Sequence, residues 1–376
     1  MPDSLPPVSQ PLAALRVLFF GTPEIAVPTL EGLIAGPHHV VGVISQPDRA
    51  RGRGRRESPS PVSAVALREG IPLHRPEKIG DAESTEMLRA LEPDIGVVVA
   101  FGQFLPKKIR EMPDCGYLIN AHASLLPKYR GASPIAQAIL DDEPETGVSV
   151  MRVEKEMDSG AVALVLRTAI ASQENTAELS LRLGNLASRS IEEALGAIAD
   201  ETIEWTEQDE SLVTIAPKLE KSDSILDFRE SARSLACRIH ALSPKPGGAL
   251  TLTSDSKDAF PDIDLKISRA DVMAFDSTDD SEDGVRPMPG SVGQHSSERP
   301  FRIAAGDGWL LPLMVQRAGG KALPVADFLR GFSIPENVHC VIREREAASS
   351  ETARGVLSES QTNTRTEAPV GAKANS

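Results

Sequence analysis

The sequence predicts an α/β protein with a doubly wound, mostly parallel sheet, followed by a smaller C-terminal β-barrel of the OB type. Three observations carry that expectation. Short apolar runs alternate with helical patterns through the first half of the chain. One of them, Ile95 to Ala100 (IGVVVA), has no polar position, as in a strand covered on both faces. Beyond about residue 222 the helical periodicity gives way to short apolar runs punctuated by Gly and Asp.

Taken in order, Leu15 to Phe20 (LRVLFF) reads as the first strand, ending in Gly21-Thr22-Pro23. A helix follows, with Val27, Leu30, Leu33 and Ile34 on one face. Val40 to Ile44 is a second strand and Ile71 to Leu73 a short third. Tyr117 to His122 follows IGVVVA, and Val148 to Val153 and Val162 to Leu166 form a late pair. A long amphipathic helix runs from about Thr176 to Ile198, burying Leu179, Leu183, Leu186, Ile191 and Leu195. The C-terminal strands are expected at Gly248 to Leu252, Ile263 to Ile267, Phe301 to Ala304 and Trp309 to Val315. The resulting division is a flexible N-terminus at 1–14, a catalytic domain at 15–205, a linker at 206–222 and a barrel at 223–343. The barrel carries a disordered acidic insertion at about 275–300, and 344–376 is a disordered tail.

Of 376 residues, 40% are hydrophobic and 25% charged, ordinary values for a soluble globular protein. Only 4% are aromatic, which argues against extended base-stacking platforms. Cys115, Cys237 and Cys340 are too far apart for a metal-ligand pair or a disulfide framework. The opening MPDSLPPVSQPL lacks the basic and apolar regions of a signal peptide, and no run is long enough to span a membrane. A cytoplasmic monomer is expected. The net charge of -14 is unevenly spread, with ten Asp or Glu against three Lys or Arg between Asp255 and Asp283. By contrast RARGRGRR, Arg49 to Arg56, holds five arginines in eight residues, so local fields and not the total decide whether an anion binds.

Asn120 and His122 lie two apart at the end of a predicted strand, so alternation sends both side chains to one face. Ligands of such sheets bind at the carboxyl ends of the strands. An amide donor beside an imidazole there suits acyl transfer: one stabilises a developing oxyanion, the other moves or shields a proton. Asp158, on a loop after a strand, could orient the histidine. No Gly-x-Ser-x-Gly elbow and no cysteine stands beside the histidine, which favours direct transfer over a covalent intermediate. Alone, Asn120-x-His122 is more often a structural pair and Asp158 before Ser-Gly more often a turn residue, so the residues by themselves give only a candidate transfer site. Gly21-Thr22-Pro23 matches neither the Walker loop nor G-x-G-x-x-G and reads equally as a tight turn or a substrate-facing segment; His38 and His39 read as surface residues, and Lys107, Lys108 and Arg110 as a solvated helix face.

The ordered run Asn120-Ala121-His122-Ala123-Ser124-Leu125-Leu126-Pro127-Lys128-Tyr129-Arg130-Gly131, followed by Met157-Asp158-Ser159-Gly160, resembles the signature of the folate-dependent formyltransferases. FFGTPEIAVPTLEGL, QPDRARGRGRRESPSPV and VVVAFGQFLP resemble the branch of that family that acts on charged initiator tRNA, and the likeness extends from Leu15 to Ile342 with the acidic insertion left out. The resemblance implies a formyltransferase-like fold. It also implies transfer of a formyl group from 10-formyltetrahydrofolate to the methionine amine of initiator methionyl-tRNA, for translation initiation and without a metal. Carried over by position, Asn120, His122 and Asp158 are the catalytic set. Ser124, Leu125, Leu126 and Pro127 line the folate site, with Phe101, Gly102, Gln103, Phe104 and Leu105 as another wall. Arg49, Arg51, Arg53, Arg55 and Arg56 meet the tRNA acceptor arm. Ala136 and Ala161 depart from the family's pattern near the site, which bears on substrate fit. Two other readings keep the fold: a different amine acceptor, such as a nucleotide sugar or an aminated ribonucleotide, or an RNA-binding protein without turnover.

Overall fold

The computed structural model describes residues 14–51, 56–255, 260–276, 286–293, 300–335 and 337–341. The expected N-terminus, the tail and most of the acidic insertion lie outside these residues. So do Arg53 and Arg55.

The first domain is built on a seven-stranded sheet. From one edge to the other its strands are Val162–Ala169, Glu145–Arg152, Leu118–His122, Ile95–Val99, Arg16–Gly21, His39–Ile44 and Leu73–His74. The last five are mutually parallel and the first two antiparallel. Both faces are covered. Along the first strand Val17 and Phe19 enter one apolar cluster while Leu18 and Phe20 enter another, which is why the run shows no polar alternation. Helix Thr176–Ala199 covers the first cluster with Leu179, Leu183, Ile191 and Leu195, and Leu186 packs at its margin. An Asn175–Glu178 capping box satisfies the orphan N–H groups at its start.

Two minor expectations are corrected. His38 is buried, because its Nδ1 accepts the Leu15 N–H at 3.2 Å at the mouth of the first strand. Arg110 is buried as well: its guanidinium turns inward to donate to the Leu105 carbonyl at 3.0 Å.

The second domain is an antiparallel sheet in the order Val292–Gly293, Arg302–Ala304, Gly308–Arg317, Ile263–Ala274, Gly248–Ser254, Val338–Cys340, with Leu323–Pro324 added beside Gly308–Arg317. The expected insertion is therefore not all insertion: Val292–Gly293 pairs with Arg302–Ala304 and belongs to the sheet. The pairings run as an open path. Its two ends meet at an isolated Ser291–His339 bridge and a Cys340 N–H bond to the Gly290 carbonyl at 2.8 Å. Leu226, Phe228, Leu252, Ile267, Ile303 and Leu310 fill the interior under helix Ala232–Ala241.

That helix also docks the two domains. Arg233 pairs with Asp142 and Arg269 with Glu178, while Gln173 Nε2 donates to Asp271 Oδ2 at 2.8 Å. Thr176 Oγ1 donates to the Ala241 carbonyl at 2.6 Å. Residues 206–222, read as a linker, carry a short strand, Ile215–Ala216, that pairs in parallel with Arg130–Gly131.

His240 sits inside the second domain with Nε2 3.0 Å from the Ala270 carbonyl. Burial, reinforced by the nearby Arg269 and Arg233 charges, pushes its pKa down to about 4, against the opposing effects of the carbonyl and Asp271. The folded state thus keeps it neutral while the unfolded chain takes up a proton, so its contribution falls as pH drops from about 6.5 towards 4, by on the order of 3 kcal/mol. The Tm of wild type should fall across that window more steeply than that of His240→Gln; parallel curves would contradict the assignment.

Candidate active site

The carboxyl end of the parallel sheet opens into a cleft of about 950 Å³. Asn120, His122 and Asp158 all line it. The strand Leu118–His122 places Ile119 and Ala121 in the core on one face, which leaves Asn120 and His122 on the other.

His122 is buried, and its Nε2 lies 2.9 Å from the Tyr129 carbonyl. A carbonyl only accepts, so Nε2 carries the hydrogen. The other ring nitrogen, Nδ1, lies 3.6 Å from Asp158 Oδ2, ion-pair range but longer than a normal hydrogen bond. A neutral ring would face the carboxylate with a lone pair. A protonated ring would donate at both nitrogens. Asp158 Oδ2 also accepts the Gly131 N–H at 2.8 Å, which fixes the carboxylate in the absence of a closer histidine contact.

The backbone around this pair is under strain. Tyr129 and Asp158 have φ of 64° and 54°, in the left-handed region that costs a non-glycine residue about 1 kcal/mol or more. Gly131, at φ 124°, admits no side chain: a Cβ would stand 2.5 Å from the Ala216 carbonyl oxygen. Gly160 is equally confined, with its Cβ position 2.0 Å from the Arg152 carbonyl. These are the Gly131 and Gly160 of the two runs that first singled out the site.

Phe101, Gly102, Gln103, Phe104 and Leu105 form one wall of the cleft. The Phe101 carbonyl accepts from Thr22 Oγ1 and from Gln46 Nε2, both at 3.2 Å. Gln103 is bonded to the Ile79 N–H at 2.8 Å and to the Pro76 carbonyl at 3.1 Å. Thr22 therefore braces the wall. Ala136 is buried in the cleft lining, and Ala161 is buried at the foot of the Asp158 loop. The second domain reaches the cleft with Ala241, Ser243, Pro244 and Lys245.

Ser124, Leu125, Leu126 and Pro127 follow His122 directly in the chain and are not among the residues that line this cleft. Ser124 is fully buried and its Oγ donates to the Lys128 carbonyl at 2.6 Å; Ser149 Oγ accepts the Leu126 N–H at 3.1 Å and donates to the Ser124 carbonyl at 2.8 Å. These bonds brace the turn that leads from His122 towards Tyr129.

Arg49–Arg51 and Arg56–Ser58 pair as an antiparallel ribbon. Its root is pinned by a 2.7 Å hydrogen bond between the Ser45 and Ser60 hydroxyls and by Gln46, whose N–H meets Thr22 Oγ1 at 3.2 Å. Gln46 thus joins the root of the arginine ribbon to the Phe101 wall. Among the described residues no group of three or more His, Cys, Asp or Glu could hold a metal ion, and no helix is long and apolar enough to cross a membrane.

Comparison with known proteins agrees with this geometry. Residues 15–195 match the formyl transferase family and residues 218–333 the formyl transferase C-terminal domain. The methionyl-tRNA formyltransferase of Methylococcus capsulatus is 39% identical over 320 residues, 85% of this chain and 98% of that protein. That of Acidithiobacillus ferrooxidans is 40% identical over 317 residues, 84% of this chain and 96% of that protein. Among solved structures, an N-formyltransferase from Helicobacter canadensis, in complex with folinic acid and dTDP-3-aminofucose, superposes with a TM-score of 0.57 at 17% identity, covering 81% of this chain and 99% of its own. HypX from Aquifex aeolicus superposes at 0.54 and 15% identity, covering 84% of this chain and 49% of its own. These last two likenesses speak to the fold alone. On its two matched domains and its full-length relatives, the chain belongs to the formyl transferase family, in the branch of the methionyl-tRNA formyltransferases.

Proposed function

We propose that this chain moves the formyl group of 10-formyltetrahydrofolate onto the free amine of methionine carried by initiator tRNA, in the cytoplasm and as a monomer. The observation that carries the reading is the cleft itself. It gathers Asn120, His122 and Asp158, and its Phe101 wall is bonded to the root of an arginine ribbon.

The cleft suits the donor. Its volume is in the range of small-molecule sites, and Val98, Phe101, Leu105, Ile135 and Ala136 supply apolar walls for a flat heterocycle and its aryl extension. The co-substrate supplies an activated one-carbon unit at the formyl level, so the exchange of one C–N bond for another needs no oxidant and no metal. The chain's own residues do the rest. Asn120 presents its amide N–H to the oxygen on which charge builds. His122, held through Nε2 by the Tyr129 carbonyl, adds positive charge beside it when protonated at Nδ1. Asp158, as carboxylate, stabilises the imidazolium; it then takes the proton that the attacking amine must lose and passes it to the tetrahydrofolate nitrogen that leaves.

Arginines suit phosphates and base edges, and a paired ribbon presents them at less entropic cost than a free loop. Arg49, Arg51 and Arg56 lie in or beside that ribbon, with Arg53 and Arg55 between. We assign the ribbon to the acceptor arm of the tRNA. The second domain, bounded near 223 and 343, is read as an OB-like barrel. The Ser291–His339 bridge that joins the ends of its open sheet supports this.

Three outcomes test the reading. Purified protein with 10-formyltetrahydrofolate should formylate methionyl initiator tRNA and not a nucleotide-linked amino sugar; the opposite selectivity would refute it. His122→Ala should lower kcat by about 10²- to 10⁴-fold while tRNA Kd stays within twofold, and a wild-type kcat would remove His122 from the chemistry. Replacing Arg49, Arg51, Arg53, Arg55 and Arg56 with Ser should weaken tRNA binding and flatten the slope of log Kd against log salt. An unchanged slope would return the ribbon to plain surface.

A further inference from the structure

Residues 205–216 cross the catalytic loops instead of skirting them. Trp205 covers Arg152, whose guanidinium lies 4.6 Å from the Trp205 ring and 4.4 Å from that of Tyr117. Thr206 and Val162 exchange backbone hydrogen bonds of 2.8 and 2.9 Å. Farther on, Thr214 Oγ1 accepts the Tyr129 N–H at 2.9 Å, the Thr214 carbonyl accepts the Arg130 N–H at 2.9 Å, and the Ala216 carbonyl accepts the Ala132 N–H at 2.9 Å. The segment is thus fastened to the loop that carries the Tyr129 carbonyl, the partner of His122.

Gln208 stands between these attachments and reaches the other loop. Its Nε2 donates to the Asp158 carbonyl and to the Gly160 carbonyl, both at 2.8 Å. Its Oε1 accepts from Arg130 Nε at 3.0 Å. Arg130 is buried and completes its fork on Glu210 at 2.8 Å. A primary amide is suited to this position: it has two N–H donors for two carbonyls and one oxygen for the guanidinium. One side chain therefore ties the turn bearing Asp158 to the loop bearing Tyr129 and Gly131. Asp158 needs such a tie. Its own φ is left-handed, and its carboxylate stands 3.6 Å from His122 with one backbone N–H to orient it.

We propose that Gln208 is a positioning residue for formyl transfer: by bridging the Asp158 turn and Arg130 it sets the separation and register of Asp158 and His122. The inference rests on the proposed chemistry for its kinetic readout but has a structural readout of its own. Gln208 touches neither substrate in this account, so its loss acts on kcat and spares KM. A displacement of about 1 Å at a catalytic group is enough to cost up to about 10²-fold in rate.

The experiment compares Gln208→Leu, which removes donors and acceptor at constant size, with Gln208→Glu, which keeps the acceptor for Arg130 and removes both donors. Glu207→Ala, the exposed residue just before it in sequence, is the control. Both Gln208 variants should lose about 10- to 100-fold in kcat with KM for each substrate within twofold. Amide hydrogen exchange should quicken at Gly131 and through 156–161 while the core strand Ile95–Val99 stays protected. Glu207→Ala should match wild type in both. Wild-type kcat in Gln208→Glu would overturn the proposal, as would a loss confined to KM or exchange that quickens uniformly over the domain. If wild type itself did not formylate the charged tRNA, the functional reading would fail, and local exchange in Gln208→Leu would still decide whether the bridge exists.

Discussion

Asp158 has to stand beside His122 from a loop, on a backbone conformation that a non-glycine residue does not adopt freely. The rest of the site is arranged around that constraint. Gly131 gives its N–H to the carboxylate, and only a glycine fits between Asp158 and the Ala216 carbonyl. Gly160 lets the turn close on the Arg152 backbone. Tyr129 turns its carbonyl to Nε2 of the same histidine, and Gln208 fastens the two loops together. Remove these supports and an aspartate and a histidine remain in the cleft, but not at a defined separation.

A second constraint is electrostatic. On the proposed function an acidic chain has to receive a polyanion, and its sequence segregates the charge: five arginines fall between Arg49 and Arg56, and ten Asp or Glu against three Lys or Arg between Asp255 and Asp283. Because Gln46 bonds the root of the ribbon to the Phe101 carbonyl, engagement of the ribbon and the shape of the cleft wall share a hydrogen bond. The ion pairs Arg233–Asp142 and Arg269–Glu178 hold the domain that brings Lys245 to the same opening.

Much of this was legible in the residues. The parallel strands were, because LRVLFF and IGVVVA bury both faces and so leave no other reading. Asn120 and His122 could be placed on one face by alternation alone, and Asp158 by its place in an ordered motif. Other features were not legible, for a common reason: they depend on single polar side chains meeting backbone groups far along the chain. Gln208 lies in a polar stretch that reads as a linker, and its partners are 48 to 78 residues away. Arg110 lies in a basic run whose companions do face water, so nothing local marks it as buried.

The account stands most directly on the carboxylate of Asp158. Asp158→Asn keeps the shape and an oxygen for the Gly131 N–H, but removes the charge and the proton acceptor. Single-turnover formyl transfer to methionyl initiator tRNA, with enzyme and 10-formyltetrahydrofolate saturating, isolates the step in which it acts. The predicted result is a rate lower by about 10²-fold or more with tRNA affinity unchanged. A single-turnover rate equal to that of wild type would contradict the account.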